Sequence, residues 1–254
     1  MVNLATPTAV QSLLRAYGLQ ISRRLGQNFL IDGNLAQRIV DAAQLQGDEC
    51  VLEIGPGLGA LTQRLVERAA QVTAIELDRG LVAILQDVLG HCPNLRIIRG
   101  DARSVPLDEL FPPGCRRKAV ANLPYYATTP LLFRLLEAQP PFSLMVVMVQ
   151  REVAERIHAR PGSKDYGALS VNVQYQCQVE WIALVPPSVF YPRPEVESAV
   201  LRLTPRLGPL PQPPSHVARV VKVAFSQRRK TLRNALRSGF SPQEAGQQPF
   251  GATG

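Results

Sequence analysis

Five short apolar runs, each closing on a glycine, an acid or an amide, constrain this chain more than any other feature of its 254 residues. They read "CVLEIGPG", "QVTAIELD", "LRIIRGDA", "KAVANLPY" and "SLMVVMVQ". Between or after them come "ALTQRLVERA", "RGLVAILQDVLG", "TPLLFRLLEA" and "REVAERIHA", where apolar residues recur at helical spacing. Asp78 is expected to cap the second of these helices, and Thr129 the third, with Pro130 in its first turn. Strand and helix units repeated with short connections fold as an open parallel sheet covered on both faces, an α/β architecture. Ligands of such sheets bind outside the carboxyl ends of the strands. Four strand ends therefore hold the candidates: Gly55 to Gly59, Glu76, Asp101, and Asn122 to Tyr125.

Ahead of this alternation lie an amphipathic helix, "TPTAVQSLLRAYG", a basic loop, "ISRRLGQNFLID", and a second helix, "GNLAQRIVDAAQL". After it, "LSVNVQYQCQVEWIALVP" and "SAVLRLTP" read as late strands joined by a proline-rich connection, "PPSVFYPRPEVE". "TPRLGPLPQPP" has five prolines in eleven residues and reads as a stiff linker. The spacing then predicts one long helix from Ser215 to Arg237, capped by the serine and stopped by Gly239. On that helix Lys222, Arg229, Arg233 and Arg237 fall within about 80° of one another, beside Val221, Phe225, Leu232 and Leu236. A larger domain over residues 1–204 and a small basic helical domain over 205–254, with a frayed polar end, are expected.

Net charge has a location. Residues 201–254 carry 9 Lys+Arg against one acid, so the other 200 residues hold 28 − 9 = 19 basic and 20 − 1 = 19 acidic side chains. All of the +8 therefore lies in the C-terminal fifth. Such asymmetry marks a surface for a polyanion, and nucleic acid fits better than membrane because the basic stretch lacks an aromatic-rich apolar face. Cys50, Cys92, Cys115 and Cys177 are far apart with no C-x-x-C pair, so neither disulfides nor a metal site is expected. A reduced, cytoplasmic setting follows. The start has no leader pattern and no apolar run reaches the length of a membrane span.

The strand ends differ in how much they decide. "EIGPGLGA" lets backbone approach a ligand closely, and its spacing suits either a dinucleotide or S-adenosylmethionine. Glu76 can accept hydrogen bonds from both hydroxyls of a ribose, which serves either cofactor. Asp101 can accept a hydrogen bond from an adenine amino group or cap the next helix. Asn122 to Tyr125 are more selective. An exocyclic adenine nitrogen is a poor nucleophile because its lone pair is delocalised into the ring, and acceptors on its two protons help localise it. Asn122 offers a side-chain carbonyl, and Leu123 a backbone carbonyl restrained because it precedes Pro124. Pro124 removes a competing N–H. Tyr125 offers a face for a base to stack on, while Tyr126 is expected to be a packing residue. No strong base is required, since the amine becomes cationic only during transfer.

"LGQNFL", "VLEIGPGLGALT", "IELD", "GDA", "NLPYYATTPLL", "PPSVFYPRPEVESAV" and "AFSQRRKTLRNAL", in that order, resemble the ribosomal RNA adenine N6,N6-dimethyltransferases, the bacterial small-subunit (16S) branch above all. The resemblance implies a Rossmann-like S-adenosylmethionine-dependent methyltransferase sheet with a small, here abbreviated, helical C-terminal domain. It implies cofactor contacts from Asn28, Leu30, Gly55, Gly57, Glu76, Asp101 and Asn122. It implies Phe190 as a second aromatic wall facing Tyr125 across a flipped adenine. RNA contacts are expected from Lys222, Arg228, Arg229, Lys230, Arg233 and Arg237. The implied substrate is 16S rRNA in an immature small ribosomal subunit, dimethylated at two adjacent adenosines of a hairpin loop by a monomer without metal or membrane. Three other readings stand beside it: a macrolide-resistance dimethyltransferase of large-subunit RNA, against which Leu123 in "NLPY" leans; a small-subunit assembly factor; and a nicotinamide dehydrogenase, which accounts for neither "NLPY" nor the cationic tail.

Overall fold

In the computed structural model, which describes residues 3–22, 26–226 and 231–240, all five apolar runs are strands. The elements in chain order are α1 (Pro7–Ala16), β1 (Phe29–Leu30), α2 (Gly33–Ala42), β2 (Glu49–Ile54), α3 (Thr62–Leu65), β3 (Gln71–Glu76), α4 (Arg79–Leu89), β4 (Leu95–Arg99), β5 (Arg116–Asn122), α5 (Thr128–Glu137), β6 (Leu144–Gln150), α6 (Arg151–His158), α7 (Ala168–Gln176), β7 (Cys177–Val185), β8 (Phe190–Tyr191), β9 (Ser198–Pro205), α8 (Pro214–Ala224) and α9 (Leu232–Gly239). Seven strands form one sheet in the order β4-β3-β2-β5-β6-β9-β7, while β1 and β8 pair separately. β2 to β6 run parallel to one another, and β9 runs antiparallel between β6 and β7.

Continuous apolar runs form these central strands because both faces are covered. On one face Leu52, Ala119 and Met145 pack with Leu131 and Leu135 of α5; on the other Val51, Val120 and Val146 pack with Ile39 and Val40 of α2. Each such side chain contributes about 1.5–3 kcal/mol on burial. Chain order reverses between β2, whose next strand lies to one side, and β5, which lies on the other. At that point the parallel register sets Ile54 beside Ala121, so the glycine turn after β2 and the "NLPY" turn after β5 emerge together. A ligand crevice belongs there.

Several expectations fail for reasons of tertiary context. The long helix from Ser215 is two helices: Pro213 precedes α8, and Thr231 caps α9 by accepting from the Asn234 N–H at 3.4 Å. Folding back brings Gly239 against Val223, where even a methyl group would have no room, while Phe225 at the end of α8 lies edge-on to Tyr166 before α7. The single cationic ridge is therefore divided. The first half of "LSVNVQYQCQVEWIALVP" is helical, not extended, because Gln174 donates to the carbonyls of Ile157 and Ala159 and satisfies the end of α6. Thr129 does not cap α5, which begins one residue earlier. Cys50 and Cys115 form a disulfide, with Cα atoms 6.1 Å apart, contrary to the expectation of none. The pairing of Cys50 with Arg117 and Glu49 with Arg116 brings Cys115 alongside, a proximity that 65 intervening residues hide.

Candidate active site

A cleft opens at the carboxyl ends of β2, β3 and β5 and at the end of the segment after β4. Gly55, Glu76, Asp101 and Asn122 to Tyr125 all line it, with Asn28 and Gly57. Gly55 and Gly57 have φ of +67° and +59°, conformations that L side chains rarely adopt. A Cβ on Gly57 would stand 3.1 Å from the Phe29 ring, and one on Gly55 would stand 3.6 Å from the Asn122 carbonyl oxygen. The turn is thus pressed between the N-terminal segment and the end of β5.

Glu76 anchors that turn. One carboxylate oxygen accepts from the Gly57 N–H at 3.2 Å and the other from the Asp78 N–H at 2.9 Å, leaving further lone pairs facing the cleft. Burial pushes its pKa up, against the pull of those backbone donors. Asp78 caps α4 as expected, accepting from Gly80 and Leu81. Asp101 receives the Arg103 side chain and the Arg103 N–H, and this neighbouring cation holds its carboxyl below the ordinary range. Leu77, Leu81 and Ala102 supply an apolar lining around it.

Asn28 donates to the Gly26 carbonyl at 3.0 Å, and the Asn122 amide donates to the Asn28 carbonyl at 3.4 Å. Asn28 and Asn122 both line the cleft and its smaller neighbour. Leu123 is fully buried and donates its N–H to Met148, so its peptide is fixed before Pro124 begins the turn. The Tyr125 hydroxyl lies 2.7 Å from the Ser198 hydroxyl. Burial raises its pKa.

Two aromatic positions lie elsewhere than expected. Phe190 is 2% exposed, pairs with Leu30 across β1 and β8, packs in the core and is absent from the cleft lining. Tyr126, expected to pack, is 49% exposed and lines the cleft beside Gly26. Leu30 is buried and lines the smaller cavity beside the glycine turn. Glu53 lines that same cavity and was not among the predicted site residues. It is 1% exposed, with one carboxylate oxygen that has no partner among the described residues. Burial pushes its pKa up to about 8. An acid at the last-but-one position of a strand before a glycine turn was the available signal. Lys222, Arg233 and Arg237 are exposed on α8 and α9, whereas Arg228, Arg229 and Lys230 lie outside the described residues. Among the described residues no group of acids, histidines and cysteines could hold a metal, and no helix is long and apolar enough to cross a membrane.

A mostly parallel sheet with a glycine turn, a strand-end acid and an amide-proline-tyrosine turn in one crevice defines an S-adenosylmethionine-dependent methyltransferase. The residues fit that cofactor: a glycine cradle that side chains would fill and the strand-end acid Glu76 line the cleft, and one oxygen of the buried Glu53 carboxylate, without a partner among the described residues, belongs to a residue lining the smaller cavity beside it. The family model described as ribosomal RNA adenine dimethylase matches residues 18–249, and the chain belongs to that family. It is 47% identical to the ribosomal RNA small subunit methyltransferase A of Alkaliphilus metalliredigens, over 94% of this chain and 85% of the relative. With the protein of the same name from Moorella thermoacetica the identity is 49%, over 94% and 87%. Among solved structures it resembles a dimethyladenosine transferase from Plasmodium falciparum, with TM-score 0.71, 30% identity and coverage of 81% and 74%. It also resembles the 23S rRNA methyltransferase ErmE, with TM-score 0.70, 29% identity and coverage of 85% and 86%.

Proposed function

We propose that this chain transfers methyl groups from S-adenosylmethionine to the N6 atoms of two adjacent adenosines in a hairpin loop near the 3′ end of 16S rRNA. One observation carries the chemistry: the end of β5, with its asparagine and restrained carbonyl, abuts the glycine turn of β2 within 3.6 Å of where a Gly55 side chain would begin. The relatives named for the small subunit, at 47% and 49% identity, favour that substrate over large-subunit RNA.

Gly55, Gly57, Glu76, Asp101, Asn28, Leu30 and Asn122 hold the cofactor in this reading. When bound, S-adenosylmethionine supplies a methyl group made electrophilic by its sulfonium. Asn122 Oδ1 and the Leu123 carbonyl accept the two amino protons of the target adenine and localise the nitrogen lone pair as the bond forms. Tyr125 stacks on the base, an interaction worth about 1–3 kcal/mol in comparable systems. A loop nucleotide costs less to unstack than a paired one, which suits a hairpin loop. The proton leaves afterwards to water, so no buried base is needed.

Residues 1–204 serve as the methyltransferase domain and 205–254 as a small basic helical domain. Lys222, Arg233 and Arg237, with Arg228, Arg229 and Lys230, neutralise phosphates without reading sequence. The enzyme works as a cytoplasmic monomer on immature small subunits. Tritiated methyl transfer to small ribosomal particles lacking dimethyladenosine tests all of this, with large-subunit RNA as the comparison. Label in two adjacent small-subunit adenosines is the expected result. No incorporation by a protein that still binds S-adenosylhomocysteine would refute it.

A further inference from the structure

We propose that Ser198 is a positioning residue for methyl transfer: its buried hydroxyl, acting through the hydroxyl of Tyr125, fixes the ring plane on which the target adenine stacks. The inference rests on the function proposed above.

β9 runs against its neighbours, so its first residue lies at the carboxyl end of the sheet, paired with Gln150 of β6 and Val185 of β7. That residue is Ser198, 0% exposed and followed by Ala199, Val200 and Leu201. A hydroxyl buried in such company is costly unless it is hydrogen-bonded. Its partner is the Tyr125 hydroxyl at 2.7 Å, from a residue 73 positions away, and either oxygen can donate. Tyr125 itself stands in a tight turn held by the Ala127 N–H and the Thr128 hydroxyl, both donating to the Pro124 carbonyl. One end of the tyrosine is therefore set by its backbone and the other by Ser198. Between these fixed points the ring lines the cleft.

Stacking alone does not require a phenol, since a phenylalanine presents the same face. The hydroxyl has a use only if it holds the ring in one orientation. Methyl transfer needs that precision, because misplacing a reacting atom by about 1 Å can cost on the order of a hundredfold in rate. Without Ser198 the phenol loses its buried partner, and the ring reorients to find another. Ser198 touches neither cofactor nor base and acts only through Tyr125.

The test compares Ser198→Ala, Ser198→Thr, Tyr125→Phe and the Ser198→Ala/Tyr125→Phe double variant in the full chain. Four quantities are read: single-turnover methyl transfer, S-adenosylhomocysteine affinity, melting temperature, and quenching of 2-aminopurine at the target position of an RNA hairpin. Ser198→Ala should lower the rate about tenfold or more and weaken quenching, with cofactor affinity unchanged. Ser198→Thr, which keeps the hydroxyl, should restore most of both. The double variant should be no slower than Ser198→Ala alone, because both changes break one contact. Wild-type rate and quenching in Ser198→Ala, or losses that simply multiply in the double variant, overturn the proposal. Should Ser198→Ala fail to fold, Tyr125→Phe decides: a tenfold loss supports the assignment and an unchanged rate overturns it. Wild-type protein that neither methylates nor quenches instead brings down the rRNA reading.

Discussion

The side-chain amide of Asn122, at the end of β5, donates to the backbone carbonyl of Asn28 across 94 residues of chain. This contact ties the N-terminal segment to the strand end that carries the proposed acceptor atoms. The same asparagine lines both the cleft and the smaller cavity, and it carries one of the proposed acceptor atoms. The glycine turn abuts Asn122 at Gly55 and Phe29, the residue after Asn28, at Gly57, so the three segments meet at one place.

Asn122→Ala should reduce methyl transfer by about a hundredfold to a thousandfold, the scale seen when one aimed polar group is removed from a reacting centre. Its single 3.4 Å hydrogen bond contributes about 1 kcal/mol or less, so the fold should survive. Activity and melting temperature measured together check this. Wild-type turnover in the variant would discredit the role given to the amide.

Glu76→Gln should weaken S-adenosylhomocysteine binding at least about tenfold in calorimetric titration. A carboxylate accepts the Gly57 and Asp78 N–H groups on two oxygens, whereas an amide has one acceptor oxygen and sets an NH₂ against a donor. The glycine turn then loses its tether. Unchanged affinity would show that the acid holds only the protein.

Glu53 makes stability depend on pH in a defined sense. Its carboxyl is raised from the ordinary 4.5 to about 8 by burial, so the native state favours the protonated form. That contribution is complete below about pH 4.5 and is lost as pH rises towards 8. The slope is at most about 1.4 kcal/mol per pH unit for one proton. Glu53→Gln, neutral throughout, should flatten the fall of melting temperature between pH 5 and 8, and at pH 8 it should melt above the wild type. An identical slope in the two proteins counts against a buried neutral acid.

Arg233→Ala and Arg237→Ala should each weaken RNA binding with little dependence on loop sequence. Each should also flatten the plot of log K against log salt by about 0.7–0.9 if one phosphate contact is lost. Filter binding at several salt concentrations measures both. A change in sequence preference without a change in slope would argue for base contacts instead.

Much of this site was legible because its signals are local. A glycine pair after an apolar run, an acid closing a strand and an asparagine before Leu-Pro-Tyr each announce themselves within a few residues, and a parallel sheet gathers strand ends on one edge. Helix caps such as Asp78 are local too. Side-chain partners are different. Ser198 reads as the start of a strand, and only the antiparallel insertion of β9 between β6 and β7 carries it to Tyr125.

The linear order of residues determined the sheet, the cofactor turn, the proposed acceptor atoms and the membership of a methyltransferase family, because these depend on short-range periodicity and backbone chemistry. Tertiary packing decided the rest. It joined Cys50 to Cys115, folded the basic helix back on itself, buried Phe190 while leaving Tyr126 at the cleft, and put the buried carboxylate of Glu53 at the smaller cavity beside the glycine turn. Each of these depends on which distant strand or helix fills the remaining space, and burial is a property of that arrangement, not of any residue's neighbours in the chain.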